Sequence, residues 1–587
     1  MIKRLGKISG VAALCALPSS VAANTVVHKD FYKQPIKNAD KPLIKADIAK
    51  YKRIFLLQKK GNWKQADRQI AKLSNPILLG HVKAQRYLHP TKYRSKYREL
   101  FSWLKLYRDH PDAIRIYKLA LKRKPRNANR PQSPLFGKKK SIETKQKKYG
   151  TYFRFKSAGV RVTRKTRAFH RKVRYLVYRQ RLTAAENYIK RAETRGMHKA
   201  HIDLARARIS AGWFYYGNDK KTLEIALKAT QRNGPIVPSA HWYAGLAAFR
   251  SKNYALASKN FEVLTSTNGI SENTKRAAAF WAGRSNLIAK RPSYMSRYLL
   301  IAADGGRDFY SILARRLLGI REKTIWESDS TSYQHNFSLL TQEKVTERVL
   351  ALVQVGQRSR AENDFRQLVS SASLPRKKAL ISAAEVLLMP GLALHAARNT
   401  VDNDSPEILR GLYPLPPWVP DGGFTLDRAL IYAFMRQESA FRVNAKSRAG
   451  ARGLMQLMPG TASYISGRRY MGSRKNKLFD PILNISLAQK YLRYLLKHDA
   501  VSGNLLLLAA AYNGGPGNLI KWKRRIGKNN DPLLFIESLP SKETRNFIEK
   551  VLSNLWLYRD RLGQKVPSLE ALARGEVPMN VNLDSKQ

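Results

Sequence analysis

Apolar residues recur three and four positions apart through most of this chain, the spacing that lays a single stripe along a helix. From about residue 44 to 375 one such stretch follows another, and the period-two alternation of strands is scarce. Two stretches read as helical pairs of tetratricopeptide type. In the first, Trp242, Gly245, Phe249, Tyr254, Ala257 and Phe261 fall at the expected offsets. The second begins at Phe280-Trp281-Ala282-Gly283, with Trp281 lying 39 residues after Trp242. Weaker members lie at Ala184 to Tyr188 and Leu204 to Ala211. A pair of this kind hides its apolar face only by stacking on the next, so these aromatic residues are expected in a core rather than around a ligand. The pattern predicts a mainly α protein, with a superhelical solenoid over 24–375.

Two interruptions divide the pattern. Residues 122–149 hold Lys122-Arg123-Lys124-Pro125 and Lys138-Lys139-Lys140 among proline, asparagine and serine, a basic insert expected as an exposed loop. Tyr413 to Pro420 carries four prolines, which forbid helix and mark a domain boundary. The expected organisation is therefore a solenoid, a helical linker domain at 376–420 and a last domain at 421–587.

The first residues do not belong to this pattern. Lys3, Arg4 and Lys7 precede a short apolar run from Ile8 to Leu17, and Val21-Ala22-Ala23 ends it. That order reads as a cleavable export signal over 1–23, too short to stay as a membrane anchor. The only cysteine, Cys15, lies inside it, so the mature chain would have no thiol for disulfides, nucleophiles or metal. The expected location is the periplasm. The charge is extreme: 109 basic against 41 acidic residues give +68. Residues 421–587 hold 27 and 13 of these, so most of the excess sits upstream. Such a field attracts polyanions. For an exported chain no nucleic acid is expected, and anionic envelope polymers or cell-wall proteins are the candidate partners of the basic helical part.

Candidate chemistry lies after the proline break. Leu426, Leu430, Ala433 and Phe434 form one stripe, with Thr425 as expected N-cap and Asp427 in the first turn. The stripe ends at Arg436-Gln437-Glu438-Ser439, near Phe441. A carboxyl group among apolar residues resists ionisation, and a proton held at neutral pH suits protonation of a leaving oxygen. Asp480-Pro481 reads as an N-cap followed by proline rather than as a second acid. No His-x-x-x-His pair is present, so neither metal nor cofactor is expected.

Gly453-Leu454-Met455-Gln456-Leu457-Met458-Pro459, Ala510-Ala511-Tyr512-Asn513-Gly514-Gly515-Pro516-Gly517 and Glu537-Ser538-Leu539-Pro540 follow in order. With Arg-Gln-Glu-Ser, over about 425–560, they resemble the catalytic domain of the soluble lytic murein transglycosylases, which has a goose-type lysozyme-like α fold. The resemblance implies cleavage of the β-1,4 bond between N-acetylmuramic acid and N-acetylglucosamine in peptidoglycan glycan strands, with 1,6-anhydromuramoyl ends as product. It makes Glu438 the sole acid and then base. Gln456 and Met458 would line the groove, Tyr512 would aim its hydroxyl at the sugar or at Glu438, Ser447 and Asn513 would add polar contacts, and Glu537 matches a cleft-lining position. The rival readings are a lysozyme-like hydrolase of the same bond and a non-catalytic wall-binding scaffold.

Overall fold

Periodicity of three and four requires helices, and helices are what form. The structure, a computed structural model, describes residues 41–136, 161–234, 237–320, 324–326, 338–340, 343–400, 405–527 and 531–584. The export signal expected at 1–23 lies outside the described residues, as do 137–149 of the expected basic insert. Of that insert's first part, the Ala113–Arg123 helix stops at Arg123 and no further helix forms through 136. No strand forms among the described residues, where extended pairing is limited to bridges such as Lys446 with Arg452 and Arg452 with Leu457. No described helix is long and apolar enough to cross a membrane.

The chain makes two units. One takes Met1–Leu135, Asp329–Phe365 and Ser382–Leu387. Its core includes Leu100, Trp103, Leu104, Ile116 and Ala120. A buried polar chain crosses the same unit. His110 bonds His81 through ring nitrogens at 2.9 Å, His81 meets Asp364 at 2.9 Å, and Arg348 bridges Asp364 and Asp109.

The other unit takes Phe136–Ser328, Arg366–Ile381 and Leu388–Gln587. Its largest hydrophobic core runs from Ala211 and Phe214 to Leu572, with smaller clusters around Val173 and Ala229. Trp242, Phe261 and Trp281 are fully buried, as the repeat pattern requires. Phe261 stacks on Trp281 at 6.0 Å, and Gly245 lets the Pro238–Arg250 helix close on Phe261, since a Cβ there would meet the ring at 2.7 Å. The helical array and the C-terminal fold share this core. Phe309 stacks on Trp556 at 5.2 Å, and Arg284 pairs with Asp531 at 2.8 Å. A C-terminal fold whose core is continuous with the array gives its site a firm footing.

Candidate active site

The Arg428–Glu438 helix buries every residue from Ala429 to Met435. Its start differs from expectation. Asp427, not Thr425, is the N-cap: one carboxylate oxygen accepts from Ala429 N–H at 2.8 Å, and the other takes the buried Arg559 guanidinium at 2.8 Å. The ion pair fixes which residue caps, because Arg559 holds the Asp427 side chain in place. Thr425 N–H instead donates to Gln489 Oε1 at 3.1 Å. At the other end Ser439 and Ala440 close the last turn onto Met435 and Arg436. Ala440 and Phe441 then take φ of 51° and 61°, a left-handed conformation that costs L-residues roughly 1–3 kcal/mol each. Burial of the Phe441 ring offsets part of that cost. The sharp turn leaves Glu438 as the last helical residue, at an edge rather than inside a wall.

The loop that follows is clamped from beneath. Fully buried Asn484 accepts from Met455 N–H at 2.8 Å and donates to the carbonyls of Arg452 and Leu478 at 3.1 and 2.9 Å. Gly453 has φ of 79°, and a Cβ there would meet Leu478 O at 2.3 Å, so only glycine fits. Asp480 caps the Pro481–Lys497 helix as expected, its carboxylate accepting from Leu483 N–H at 2.9 Å, and thereby sets the position of Asn484.

Tyr512 roofs the same place. Its ring meets Phe434 at 4.8 Å, Tyr491 at 5.6 Å and Phe547 at 6.4 Å, and its hydroxyl donates to Met455 O at 2.8 Å. The hydroxyl proton is therefore engaged by the loop, and the oxygen's lone pairs remain. Burial, then the nearby Glu438 charge, push the Tyr512 hydroxyl well above its usual range. Glu438 itself makes no hydrogen bond or ion pair among the described residues. Burial, and secondarily the Glu543 carboxylate, raise its pKa to about 8. At neutral pH this is a protonated, half-buried acid close enough to Tyr512 to act on its hydroxyl.

The other expected residues divide by what their side chains already do. Met458 is 42% exposed at the start of the Pro459–Ser466 helix. Gln456, with φ of 47°, spends its amide N–H on the carbonyls of Gly453 and Ala445 at 2.9 and 3.2 Å, leaving Oε1 to act as an acceptor. Ser447 Oγ accepts from Ala451 N–H at 3.0 Å and closes the loop's tip. Asn513 Oδ1 accepts from Thr544 Oγ at 2.8 Å, tying two helices together. Glu537, expected to line the cleft, meets the helical array. It is 0% exposed, and its carboxylate accepts the hydroxyl proton of Tyr310, which comes from the helical array. Glu537 is the penultimate residue of the short Pro532–Ser538 helix, where it is buried. The acid that acts on Glu438 is Glu543, exposed in the first turn of the Lys542–Arg561 helix. In the sequence it stands in the run Glu543-Thr544-Arg545-Asn546-Phe547, which reads on its own only as the start of a capped last helix, because a first-turn glutamate is what any helix favours. Among the described residues no group of three or more acidic, His or Cys side chains is arranged to hold a metal ion.

Comparison with known proteins places this geometry. Residues 422–535 match the family model described as "Transglycosylase SLT domain". The soluble lytic murein transglycosylase of Salmonella typhimurium is 37% identical over 147 residues, which are 24% of this chain and 22% of that protein. Its Escherichia coli counterpart is 36% identical over 157 residues, 26% and 24% of the two chains. The matched sequence thus spans about a quarter of those relatives' own length. In three dimensions the likeness is longer. The crystal structure of the 70 kDa soluble lytic transglycosylase of Escherichia coli superposes with a TM-score of 0.56 at 18% identity, over 91% of this chain and 99% of that one. An inactive mutant of the lytic transglycosylase Slt of Pseudomonas aeruginosa gives 0.55 over 95% and 92%. At such identity these structures speak for the fold alone: a helical array joined to a lysozyme-like domain.

Proposed function

We propose, from the premise that this chain belongs to the soluble lytic transglycosylases through its SLT domain, that it cleaves peptidoglycan glycan strands by single-acid catalysis at Glu438. The observation that carries the reading is the Glu438 carboxyl. It sits at a helix end beside apolar rings, unpartnered among the described residues and protonated at neutral pH. A general acid must hold its proton until the leaving group needs it.

The reaction balances without water. Glu438 gives its proton to the oxygen joining N-acetylmuramic acid to N-acetylglucosamine, and the bond from that oxygen to the muramoyl anomeric carbon breaks. The C6 hydroxyl of the same sugar bonds to the anomeric carbon. Glu438, now a carboxylate, takes the hydroxyl's proton. The products are a 1,6-anhydromuramoyl end and a free 4-hydroxyl, and the acid is restored. Met458 and Gln456 Oε1 line the groove, where the amide oxygen accepts from an acetamido N–H. Tyr512, Ser447 and Asn513 shape its walls through the contacts they already make. Residues 421–587 are the catalytic part, and the export segment at 1–23 delivers it to the periplasm, where its polymer lies.

Mass spectrometry of muropeptides released from purified peptidoglycan tests the reading. Products lacking one water, absent with Glu438→Gln, are expected. Ordinary reducing ends would make the protein a hydrolase of lysozyme type. No release by the unaltered protein would leave a wall-binding scaffold.

A further inference from the structure

Several cations of the helical array are paired with acids. Arg206 and Arg232 share Asp203 and Glu193, Arg250 holds Asp219, and Arg276 holds Asp308. The Arg164–Tyr178 helix lacks such pairing. Between Arg161 and Arg181 lie nine lysines and arginines and no acid, all nine are exposed, and none makes an ion pair among the described residues. The Arg164–Tyr178 helix turns Phe169, Val173 and Leu176 inward onto the array, so what it offers outward is cationic and aromatic apart from Ala168. The field reaches inward too. His170, on this helix, is held down at about 4 by burial first, then by Arg208, His201 and Arg174.

The surface does not stop at the helix end. Tyr175 is 49% and Tyr178 83% exposed, with the Lys172 ammonium 5.7 Å from the Tyr175 ring. Beyond them Arg525 donates to Gln180 Oε1 at 3.4 Å and sets its guanidinium 5.8 Å from the half-exposed Tyr216 ring. Arg525 belongs to the Pro516–Ile526 helix, whose Lys521, Lys523 and Arg524 are also exposed. That helix starts three residues after Asn513, at the candidate active site. Basic residues and exposed tyrosine faces thus continue from the array to the catalytic fold.

We propose that this face, from the Arg164–Tyr178 helix to the Pro516–Ile526 helix, is a docking track for the anionic, peptide-bearing glycan strand. The cations meet the carboxylates of the peptide stems, and the tyrosine faces meet the C–H faces of pyranose rings. Charge complementarity of this kind raises the local concentration of a polyanion and steers its encounter. A bilayer is a poorer match. An interfacial helix needs an apolar face left over for lipid, and this helix has used its own against the array. The track rests on the proposed substrate, but its binding test needs no turnover.

The test uses the full chain carrying Glu438→Gln, co-sedimented with purified peptidoglycan sacculi. A triple variant, Arg171→Glu with Arg174→Glu and Arg179→Glu, is expected to bind at least tenfold more weakly. Glycan strands freed of their stems by an amidase are soluble and keep only the lactyl carboxylate, and they are expected to compete with sacculi for the unaltered face at least tenfold more weakly than stem-bearing strands. In the active chain the triple variant is expected to raise KM severalfold on polymeric glycan, leaving kcat and cleavage of short soluble muropeptides unchanged. The same three positions changed to Gln give a gentler second variant should the reversal unfold the helix. Equal binding by variants and parent, equal binding to stripped glycan, or preference for phosphatidylglycerol vesicles or DNA over sacculi would overturn the track. If the active chain releases no anhydro products while the inactive chain still binds sacculi through these arginines, the catalytic reading fails and the track stands.

Discussion

The candidate site and the seam against the helical array each hold a glutamate followed by serine, half-buried in the first and wholly enclosed in the second. At the rim, Glu438 ends its helix with no partner among the described residues and a pKa raised to about 8. In the seam, Glu537 is wholly enclosed and accepts the Tyr310 hydroxyl proton, with Arg250 reaching the adjacent Ser538 at 3.3 Å. Burial alone therefore does not mark a site. A partnered buried carboxylate joins two parts of a fold, whereas an unpartnered, half-buried one stores a proton. The difference has an energetic sign. Between the unfolded value of 4.5 and the folded value near 8, the unfolded chain binds fewer protons than the folded one at Glu438. Stability contributed by this residue is therefore lost as pH rises through that window, by at most ~3 kcal/mol at pH 7. The fold tolerates this in exchange for a protonated acid.

The largest effect expected from breaking the contrast is at the rim. Glu438→Gln should lower kcat by about 10²- to 10⁴-fold, the range for loss of a general acid. The same variant should be more stable than the parent at pH 7 and equal to it near pH 4, read from thermal unfolding at both pH values. A variant that loses activity and stability together at pH 7 would count against a strained acid.

Next comes the clamp under the cleft. Asn484→Ala strands Met455 N–H and two carbonyls in a buried place, costing about 2–4 kcal/mol. Because Met455 O also holds the Tyr512 hydroxyl, the loop should loosen and kcat should fall with stability. Retention of full kcat at unchanged thermal midpoint would show that the clamp is dispensable. Smaller still is Glu537→Ala in the seam, which removes the Tyr310 partner for about 1–3 kcal/mol. It should lower the thermal midpoint while leaving the alkaline limb of the pH–rate profile where it was. A shifted limb would place Glu537 in the cleft after all.

These side chains also indicate what a sequence can disclose. Helical periodicity was enough for the mainly α fold and for the buried Trp242, Phe261 and Trp281, because burial of a stripe is a local consequence of spacing. The apolar stripe ending at Glu438 is only a weak sign, and it is the ordered motifs resembling the transglycosylase family that single this residue out. Asn484 was not, since a lone polar residue between Leu483 and Ile485 gives no sign that its partners lie 29 and 32 residues away. The Asp427 cap depends on Arg559, 132 residues distant. The Glu-Ser-Leu-Pro motif located Glu537 along the chain but not on which side of its helix the carboxylate lies. The upstream excess of charge was visible as composition, but the run at 161–181 and its nearness to the helix following Asn513 emerge only from the fold.

The smallest predicted effect is the most discriminating. Glu543 stands in the first turn of the Lys542–Arg561 helix, exposed, where the helix N-terminus favours a negative charge. Its charge adds to burial in holding the Glu438 proton. Glu543→Gln removes that charge and leaves burial intact. Glu438 should then ionise more readily, so the alkaline limb of kcat should move down from near pH 8 by less than about one unit, as for a neighbouring like charge screened by water. At pH 6 the rate should hardly change; at pH 8 it should fall severalfold. Equal loss at both pH values would instead mean that Glu543 touches the sugar, and an unmoved limb would mean that burial by Phe434, Phe441 and Tyr512 alone keeps the acid protonated.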